Sequence, residues 1–168
     1  LVGSEMCIRD RFNVSNAACA LAAADLMGVG TSDAIRGMRT VTSPAGRFAT
    51  ATFGDTEARL MLAKNPAGWA EALPILTCDD VVLAIDSVAA DGKDVSWLWD
   101  VQFEQLAGKN VVVTGPRCGD LSVRLLYAGV EHRVQPDLSQ AMRMHSGRID
   151  VLSTYTPFQK LRKLGGLA

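Results

Sequence analysis

The sequence predicts an α/β fold built on a mostly parallel sheet with helices on both faces. Short β-prone runs alternate with amphipathic segments along most of the chain, which is the order of βαβ units. Residues 81–85 are almost continuously apolar, as expected of a strand covered on both faces. The length of 168 residues suits one domain with a short piece of a second. These observations indicate a Rossmann-like α/β sandwich.

Two helices are predicted before the sheet. The first covers residues 16–27, which are rich in Ala and Leu, and ends at Gly28; its N-cap is Asn13, Ser15 or Asn16. A second helix runs to Met38 and is capped within residues 31–33. The sequence Ser-Pro-Ala-Gly at residues 43–46 then breaks the pattern. We expect a domain boundary there, within residues 42–48.

The elements of the main domain follow in order. The first two strands form a hairpin that turns at Gly54 and Asp55. Pro74 kinks or shortens the first helical segment after them. Strands are predicted at residues 48–53, 58–62, 81–85, 111–114, 133–135 and 151–153. Helical segments are predicted at residues 67–76, 103–106, 121–127, 138–144 and 157–164.

Composition excludes several classes of protein. The net charge is −1 with acids and bases interspersed, so no basic surface for nucleic acid is expected. The four cysteines form no Cys-x-x-Cys pair, which argues against a zinc ribbon or a disulfide framework. Cys118 is either a reactive thiol on a turn or inert packing. No apolar run approaches the length of a membrane-spanning helix, so we expect a soluble, cytosolic protein.

Some residue patterns are typical of functional sites, and each also has a structural explanation. No Walker loop or Gly-x-Gly-x-x-Gly motif is present. Residues 115–120 lie between a strand and a helix, where open sheets bind ligands, or they form a turn capped by Asp120. Residues 154–157 are a ligand or interface site, or Thr156 caps a helix. We predict surface or helix-end positions for both histidines, His132 and His145.

Residues 91–100 read Asp-Gly-Lys-Asp-Val-Ser-Trp-Leu-Trp-Asp and combine three acids with two of the three tryptophans. A core segment lacks such charges, and a solvated loop lacks such rings. Trp97 and Trp99 therefore either cover a core edge or contact another protein.

Further motifs indicate a family. Residues 12–16 (Phe-Asn-Val-Ser-Asn), 44–47 (Pro-Ala-Gly-Arg) and 63–68 (Ala-Lys-Asn-Pro-Ala-Gly) resemble the Mur ligase family. Residues 91–100, 124–129 and 154–156 make the resemblance narrower, to its MurT members. The resemblance implies that residues 12–45 end an ATP-binding central domain and that residues 46–168 form a Mur ligase-type C-terminal domain. Residues 1–11 resemble translated sequencing-adapter read-through; the alternative is a natural leader.

The resemblance also implies a function. MurT members are the ligase-like subunits of lipid II isoglutaminyl synthase, which uses ATP with Mg²⁺ to amidate the D-glutamate α-carboxyl of the peptidoglycan stem peptide. A GatD-like glutaminase subunit supplies the ammonia. The implied location is the bacterial cytoplasm, at the inner membrane surface where the lipid-linked substrate lies. The alternatives are a non-catalytic module that docks a glutaminase, or the C-terminal domain of another Mur or folylpolyglutamate-type amino-acid ligase.

Site residues follow from matching motif positions. By resemblance, Asn16 faces the adenine and Arg47 approaches the ribose or phosphates. Lys64 and Asn65 lie near the point where the acyl phosphate meets its nucleophile. Asp94 would complete the Cys–His pair of the glutaminase, since a carboxylate fixes the histidine tautomer. Asp91 and Asp100 are the alternative candidates for this carboxylate. The structural alternatives are capping by Asn16, ion pairing by Arg47, solvation of Lys64, and capping of a helical turn by Asp94 or Ser96.

Overall fold

A computed structural model describes residues 11–40 and 47–167 of the chain. The chain divides into two compact units, residues 1–45 and 46–168. The first unit contains helices α1 (Arg11–Leu26) and α2 (Thr31–Arg39). Most of the predicted leader and the predicted break at residues 43–46 lie outside the described residues. Throughout the described part, no helix combines the length and apolar character needed to span a membrane.

Both helices of the first unit are confirmed, and so is the end of the first at Gly28, but their predicted N-caps are wrong. Helix α1 is already helical at Arg11, so the three proposed N-cap residues lie inside it. The chain leaves this helix through Gly28, whose φ of 78° favours glycine. The N-cap of α2 is Gly30, which has no side chain with which to cap the helix. Asp33 is instead within α2 and pairs with Arg36 at 2.9 Å.

The second unit is a six-stranded sheet in the order β1-β2-β6-β3-β4-β5. Strand β1 is antiparallel to β2, and the other neighbouring pairs are parallel. This confirms the predicted α/β class. The strands are β1 (Phe48–Phe53), β2 (Thr56–Leu62), β3 (Asp80–Ala84), β4 (Asn110–Thr114), β5 (His132–Val134) and β6 (Gly147–Ser153). The α-helices are α3 (Pro66–Ala72), α4 (Cys118–Tyr127), α5 (Leu138–Arg143) and α6 (Tyr155–Leu164).

Three short 3₁₀ helices complete the unit: Leu73–Ile75, Ser96–Asp100 and Phe103–Leu106. The first follows α3 directly and contains Pro74, which confirms the predicted shortening. Two predicted caps are wrong here as well. Arg117 occupies the N-cap of α4 and pairs with Asp120, which lies in the first turn. Thr154, rather than Thr156, is the N-cap of α6.

Hydrophobic cores cover both faces of the sheet, and β3 contributes to each. Its Val81 and Leu83 belong to the core that contains Trp69, Phe103 and Leu121, under α3, α4 and the 3₁₀ helices. Its Val82 belongs to the core under α5 and α6, with Met142, Phe158 and Leu161. Alternate side chains of β3 are thus buried on opposite faces. This explains the continuous apolar run in the sequence.

Two ion pairs join β2 and β6, each between residues that face each other in the two strands. Arg59 faces Asp150, with a distance of 2.7 Å, and the Asp150 side chain is completely enclosed. The same carboxylate accepts backbone hydrogen bonds from Thr77 and Cys78. Glu57 and Arg148, two residues nearer the amino end of both strands, form an exposed pair at 3.1 Å. The two pairs share a geometry and differ in burial.

Candidate functional site

The carboxyl ends of β3 and β6 lie side by side, and the chain leaves them in opposite directions. Beyond β3 it continues to β4 on one side, whereas α6, which follows β6, packs against β1 and β2 on the other. Open α/β sheets bind ligands where successive connections diverge in this way. The residues that follow these two strands therefore form the candidate site.

Two buried polar residues join the ends of these strands. The backbone N–H of Asp86 donates to Thr154 Oγ1 at 3.0 Å, and both residues are enclosed. Asp86 Oδ1 accepts from the N–H of Ser87 at 2.8 Å. Its other oxygen lies 3.5 Å from Lys160 Nζ. A buried carboxylate with both a hydrogen bond and a cation beside it is adequately compensated. Neither Asp86 nor Lys160 was singled out from the sequence.

The acidic segment, residues 91–100, places its three aspartates in different surroundings. Asp91 is only 6% exposed, and its Oδ1 accepts from the backbone N–H of Thr156 at 2.8 Å. Its Oδ2 is buried without a hydrogen-bond partner. Asp94 and Asp100 are both exposed to solvent. Of the proposed carboxylates, these two can reach another protein directly, and Asp91 cannot.

Asp94 is held by the residue that starts the next 3₁₀ helix. Its Oδ1 accepts from the Ser96 backbone N–H and its Oδ2 from the Ser96 hydroxyl, both at 2.8 Å. These bonds, the backbone one first, lower the pKa of the Asp94 carboxyl below its ordinary value. Asp94 is therefore an ionised, exposed acceptor of fixed orientation. The N-cap of this 3₁₀ helix is Val95, without a side-chain capping hydrogen bond, so the alternative that Asp94 or Ser96 caps the turn is wrong.

The two tryptophans of the segment have different surroundings. Trp97 is half-buried and packs on the enclosed Trp69, with ring centroids 6.2 Å apart. Trp99 is 54% exposed and meets Tyr127 edge-on at 5.2 Å. Arg124 lies over the Trp99 ring at 5.7 Å. Trp97 thus covers a core edge, whereas Trp99 and Tyr127 form an aromatic surface patch.

The residues matched to nucleotide binding fall in both units. Asn16 is exposed on α1, inside the helix rather than at its cap. Arg47 precedes β1, and its carbonyl oxygen accepts from the N–H of Leu62 at 2.9 Å. Lys64 and Asn65 follow β2, so Arg47 and Lys64 lie exposed at one edge of the sheet. Asn65 caps α3 by accepting from the N–H of Gly68 at 2.8 Å.

The loop at residues 115–120 packs closely against the end of β3. Gly115 has a φ of 91°, and a Cβ there would lie 2.6 Å from the Ile85 carbonyl oxygen. The Arg117 N–H donates to that same oxygen at 3.3 Å. Cys118 is buried, which favours the packing explanation. These contacts account for the glycine and for the turn without a ligand.

The two histidines differ in how they match the prediction of surface or helix-end positions. His145 directly follows Met144, the C-cap of α5, and so lies at a helix end, whereas His132 is half-buried in β5. His132 and Ser122 come together, with Nε2 and Oγ 2.7 Å apart. The Val130 carbonyl, 2.8 Å from Nδ1, can only accept, so Nδ1 carries the hydrogen when the ring is neutral and Ser122 donates to Nε2. The pair pins α4 to β5. The His145 side chain is 2% exposed and lies 3.5 Å from Asp80. Neither contact is visible in local sequence spacing.

Comparisons with known proteins show the family to which this chain is similar. Residues 62–158 match the family model described as MurT ligase C-terminal. A Staphylococcus aureus (strain COL) protein named lipid II isoglutaminyl synthase (glutamine-hydrolyzing) subunit MurT is 36% identical over 134 residues, covering 76% of this chain and 31% of that protein. The Streptococcus pneumoniae (strain ATCC BAA-255 / R6) subunit of the same name is 27% identical over 167 residues, covering 91% and 37%. The chain thus spans about a third of the length of these relatives.

Solved structures share the fold. UDP-N-acetylmuramate-alanine ligase MurC from Thermotoga maritima superposes with a TM-score of 0.64 at 14% identity, over 92% of this chain and 37% of that one. Folylpolyglutamate synthase from Thermotoga maritima gives 0.60 at 19% identity, over 93% and 39%. The family model covers more than half of the chain, including β3, β4, β6 and the acidic segment. By its sequence and its fold, the chain belongs to the MurT ligase C-terminal family.

Proposed function

We propose that this chain is part of an ATP-dependent amidotransferase subunit that amidates the D-glutamate α-carboxyl of lipid II. The ammonia comes from a GatD-like glutaminase. Membership of the MurT family and the names of the two relatives support the proposal. The lipid-linked substrate places the subunit in the bacterial cytoplasm, at the inner membrane surface.

The exposed carboxylate of Asp94, held by Ser96, is the observation that carries the proposal. A glutaminase uses a cysteine nucleophile and a histidine base, and a carboxylate on the second ring nitrogen orients the base and stabilises the imidazolium. Asp94 is exposed, and its pKa is lowered by two hydrogen bonds from Ser96. It can therefore accept an N–H from the histidine of a partner without first losing a proton. The active site of the glutaminase is completed across the interface.

The nucleotide would be held by the exposed residues matched to the family motif. Arg47 and Lys64, at one edge of the sheet, suit phosphate oxygens, and Asn16 suits a purine edge. Asn65 already accepts from Gly68, which leaves its side-chain N–H groups available. ATP with Mg²⁺, when bound there, would supply the phosphoryl group that activates the carboxylate, with ADP as the leaving group. Within residues 11–40 and 47–167, no three His, Cys, Asp or Glu side chains are arranged to hold a metal, so we assign no metal ligand.

The substitution Asp94→Asn tests the role of the carboxylate. Made in the complete coding sequence and co-purified with the glutaminase, it should lower the kcat of glutamine hydrolysis by roughly 10²- to 10⁴-fold, because the histidine loses its ionised partner. Complex formation should be unchanged. The matched control is Asp79→Asn, an exposed acid before β3 at the opposite edge of the sheet. Unchanged hydrolysis and binding in Asp94→Asn would exclude both a catalytic and a docking role for Asp94.

A docking module without a catalytic carboxylate is the second candidate. The exposed aromatic patch of Trp99 and Tyr127 favours it, because aromatic residues are enriched at protein interfaces. Loss of complex formation in Asp94→Asn would support docking over catalysis. The likeness to folylpolyglutamate synthase concerns the fold alone. Ligation of an amino acid, with no glutamine-dependent amidation of lipid II, would support that third alternative.

A further inference from the structure

The loop of residues 86–100, which contains the acidic segment, is attached to the junction between β6 and α6 at two points. Asp86 donates its N–H to Thr154 Oγ1 at 3.0 Å. Five residues later, the carboxylate of Asp91 accepts the N–H of Thr156 at 2.8 Å. Thr156 lies in the first turn of α6, where backbone N–H groups have no partner within the helix. The loop of residues 86–100 is thus bonded to both the N-cap residue and the first turn of one helix.

The second attachment limits where Asp94 can lie. Only Gly92 and Lys93 separate Asp91 from Asp94, so their Cα atoms can be no more than about 11 Å apart. Gly92 has a φ of 90°, which turns the chain sharply after Asp91. On the far side, Leu98 is 3% exposed and anchors the 3₁₀ helix that Ser96 begins. Asp94 therefore lies in a short stretch of chain that is anchored at each end by a buried residue, Asp91 and Leu98.

We propose that Asp91 is a positioning residue that fixes the location of Asp94 for the glutaminase histidine. The inference rests on the proposed function. Asp91 is too enclosed to touch a partner, so it acts through the loop and not on the reacting atoms. Its negative charge suits the positive end of the α6 dipole. Its Oδ2 is buried without a hydrogen-bond partner, so the bond from Thr156 to Oδ1 is the one that holds this carboxylate to α6.

The test compares Asp91→Ala with Asp91→Asn in the complete protein bound to its glutaminase. Asp91→Ala removes the acceptor and should lower the kcat of glutamine hydrolysis at least about tenfold, because small displacements of a catalytic group are costly. The KM for glutamine and the Kd of the complex should change less than about threefold, because Asp91 touches neither glutamine nor the partner. Asp91→Asn keeps an oxygen that can accept from Thr156 and should restore most of the kcat. The matched control is Asp79→Asn.

Two further measurements separate positioning from general stability. In the Asp94→Asn background, Asp91→Ala should cause no further loss of kcat, because residues that act as one unit are not additive. Amide hydrogen exchange at residues 92–96 should accelerate in Asp91→Ala and not in Asp91→Asn. If Asp91→Ala does not fold, Asp91→Glu replaces it: the charge is kept and the carboxylate is displaced, so the kcat should still fall.

The outcomes distinguish this inference from the proposed function. If Asp94→Asn abolishes glutamine hydrolysis while Asp91→Ala or Asp91→Glu folds and retains the full kcat, the positioning role is wrong and the proposed function stands. An additive loss in the double variant would also overturn the positioning role. If Asp94→Asn itself leaves hydrolysis unchanged, the catalytic role proposed for Asp94 fails, and the positioning role fails with it.

Discussion

Arg59 and Arg148 form ion pairs between the same two strands, yet substitutions at these residues should have very different effects. Arg59→Met leaves the fully enclosed Asp150 carboxylate with two backbone N–H groups and no cation. We expect the free energy of unfolding to fall by about 3 kcal/mol, since removing one partner exposes the cost of a buried charge. Arg148→Met breaks an exposed pair and should change it by less than about 0.5 kcal/mol.

Urea denaturation of the two variants measures the difference directly. Equal effects would mean that the buried Asp150 carboxylate does not need the charge of Arg59 to compensate its burial.

Residues differ in how far the sequence alone could reveal their role. The composition of residues 91–100 made that segment stand out, and the role proposed for Asp94 came from the resemblance to the family. Arg59 with Asp150, and Ser122 with His132, meet only through the fold, so no local pattern indicated either pair.

Among the elements, the turn from β4 to α4 depends most on one backbone conformation. Gly115→Ala would place a Cβ 2.6 Å from the Ile85 carbonyl oxygen at a positive φ. We expect a loss of at least about 2 kcal/mol in the free energy of unfolding, from the conformational penalty and the contact with rigid backbone together. Gly119→Ala, four residues later in α4, meets no atom within 4 Å.

The Gly119→Ala control should be neutral or stabilising by up to about 1 kcal/mol, because alanine favours a helix over glycine. Thermal melts of both variants provide the comparison. A Gly115→Ala variant as stable as the unmodified protein would show that the turn can relax.

The elements themselves were predictable from periodicity, and the hairpin and the strands of the sheet are confirmed. Their caps were not, because several polar residues stood near each start and only backbone geometry selects among them.

For the whole molecule, stability should decline as the pH falls below about 6.5, the ordinary pKa of histidine. Burial first, and then the charge of Arg133, lower the pKa of His145, while Asp80 opposes the shift. The unfolded chain therefore binds a proton more readily than the folded protein, so acidification favours unfolding. The loss begins at the unfolded pKa and continues down to the lower folded value.

Denaturation at pH 7.5 and at pH 5.5 tests this expectation. A His145→Asn variant should show a smaller difference between the two conditions. The lowered pKa values of Asp94 and Glu104 act only below about pH 4.5, near and under the ordinary carboxyl values. They do not confuse this window. An equal loss of unfolding free energy between pH 7.5 and pH 5.5 in His145→Asn and in the unmodified protein would assign the effect to other groups.

The arrangement of the three tryptophans makes the molecule its own optical reporter. Trp69 and Trp97 contribute emission from enclosed or half-enclosed surroundings, and Trp99 contributes emission from the solvent-facing patch beside Tyr127. Binding of the proposed glutaminase partner over that patch should shift the fluorescence maximum to shorter wavelength, because a covered indole leaves water. The shift should disappear in Trp99→Phe and persist in Trp97→Phe. Complex assembly can then be followed in real time without any attached dye.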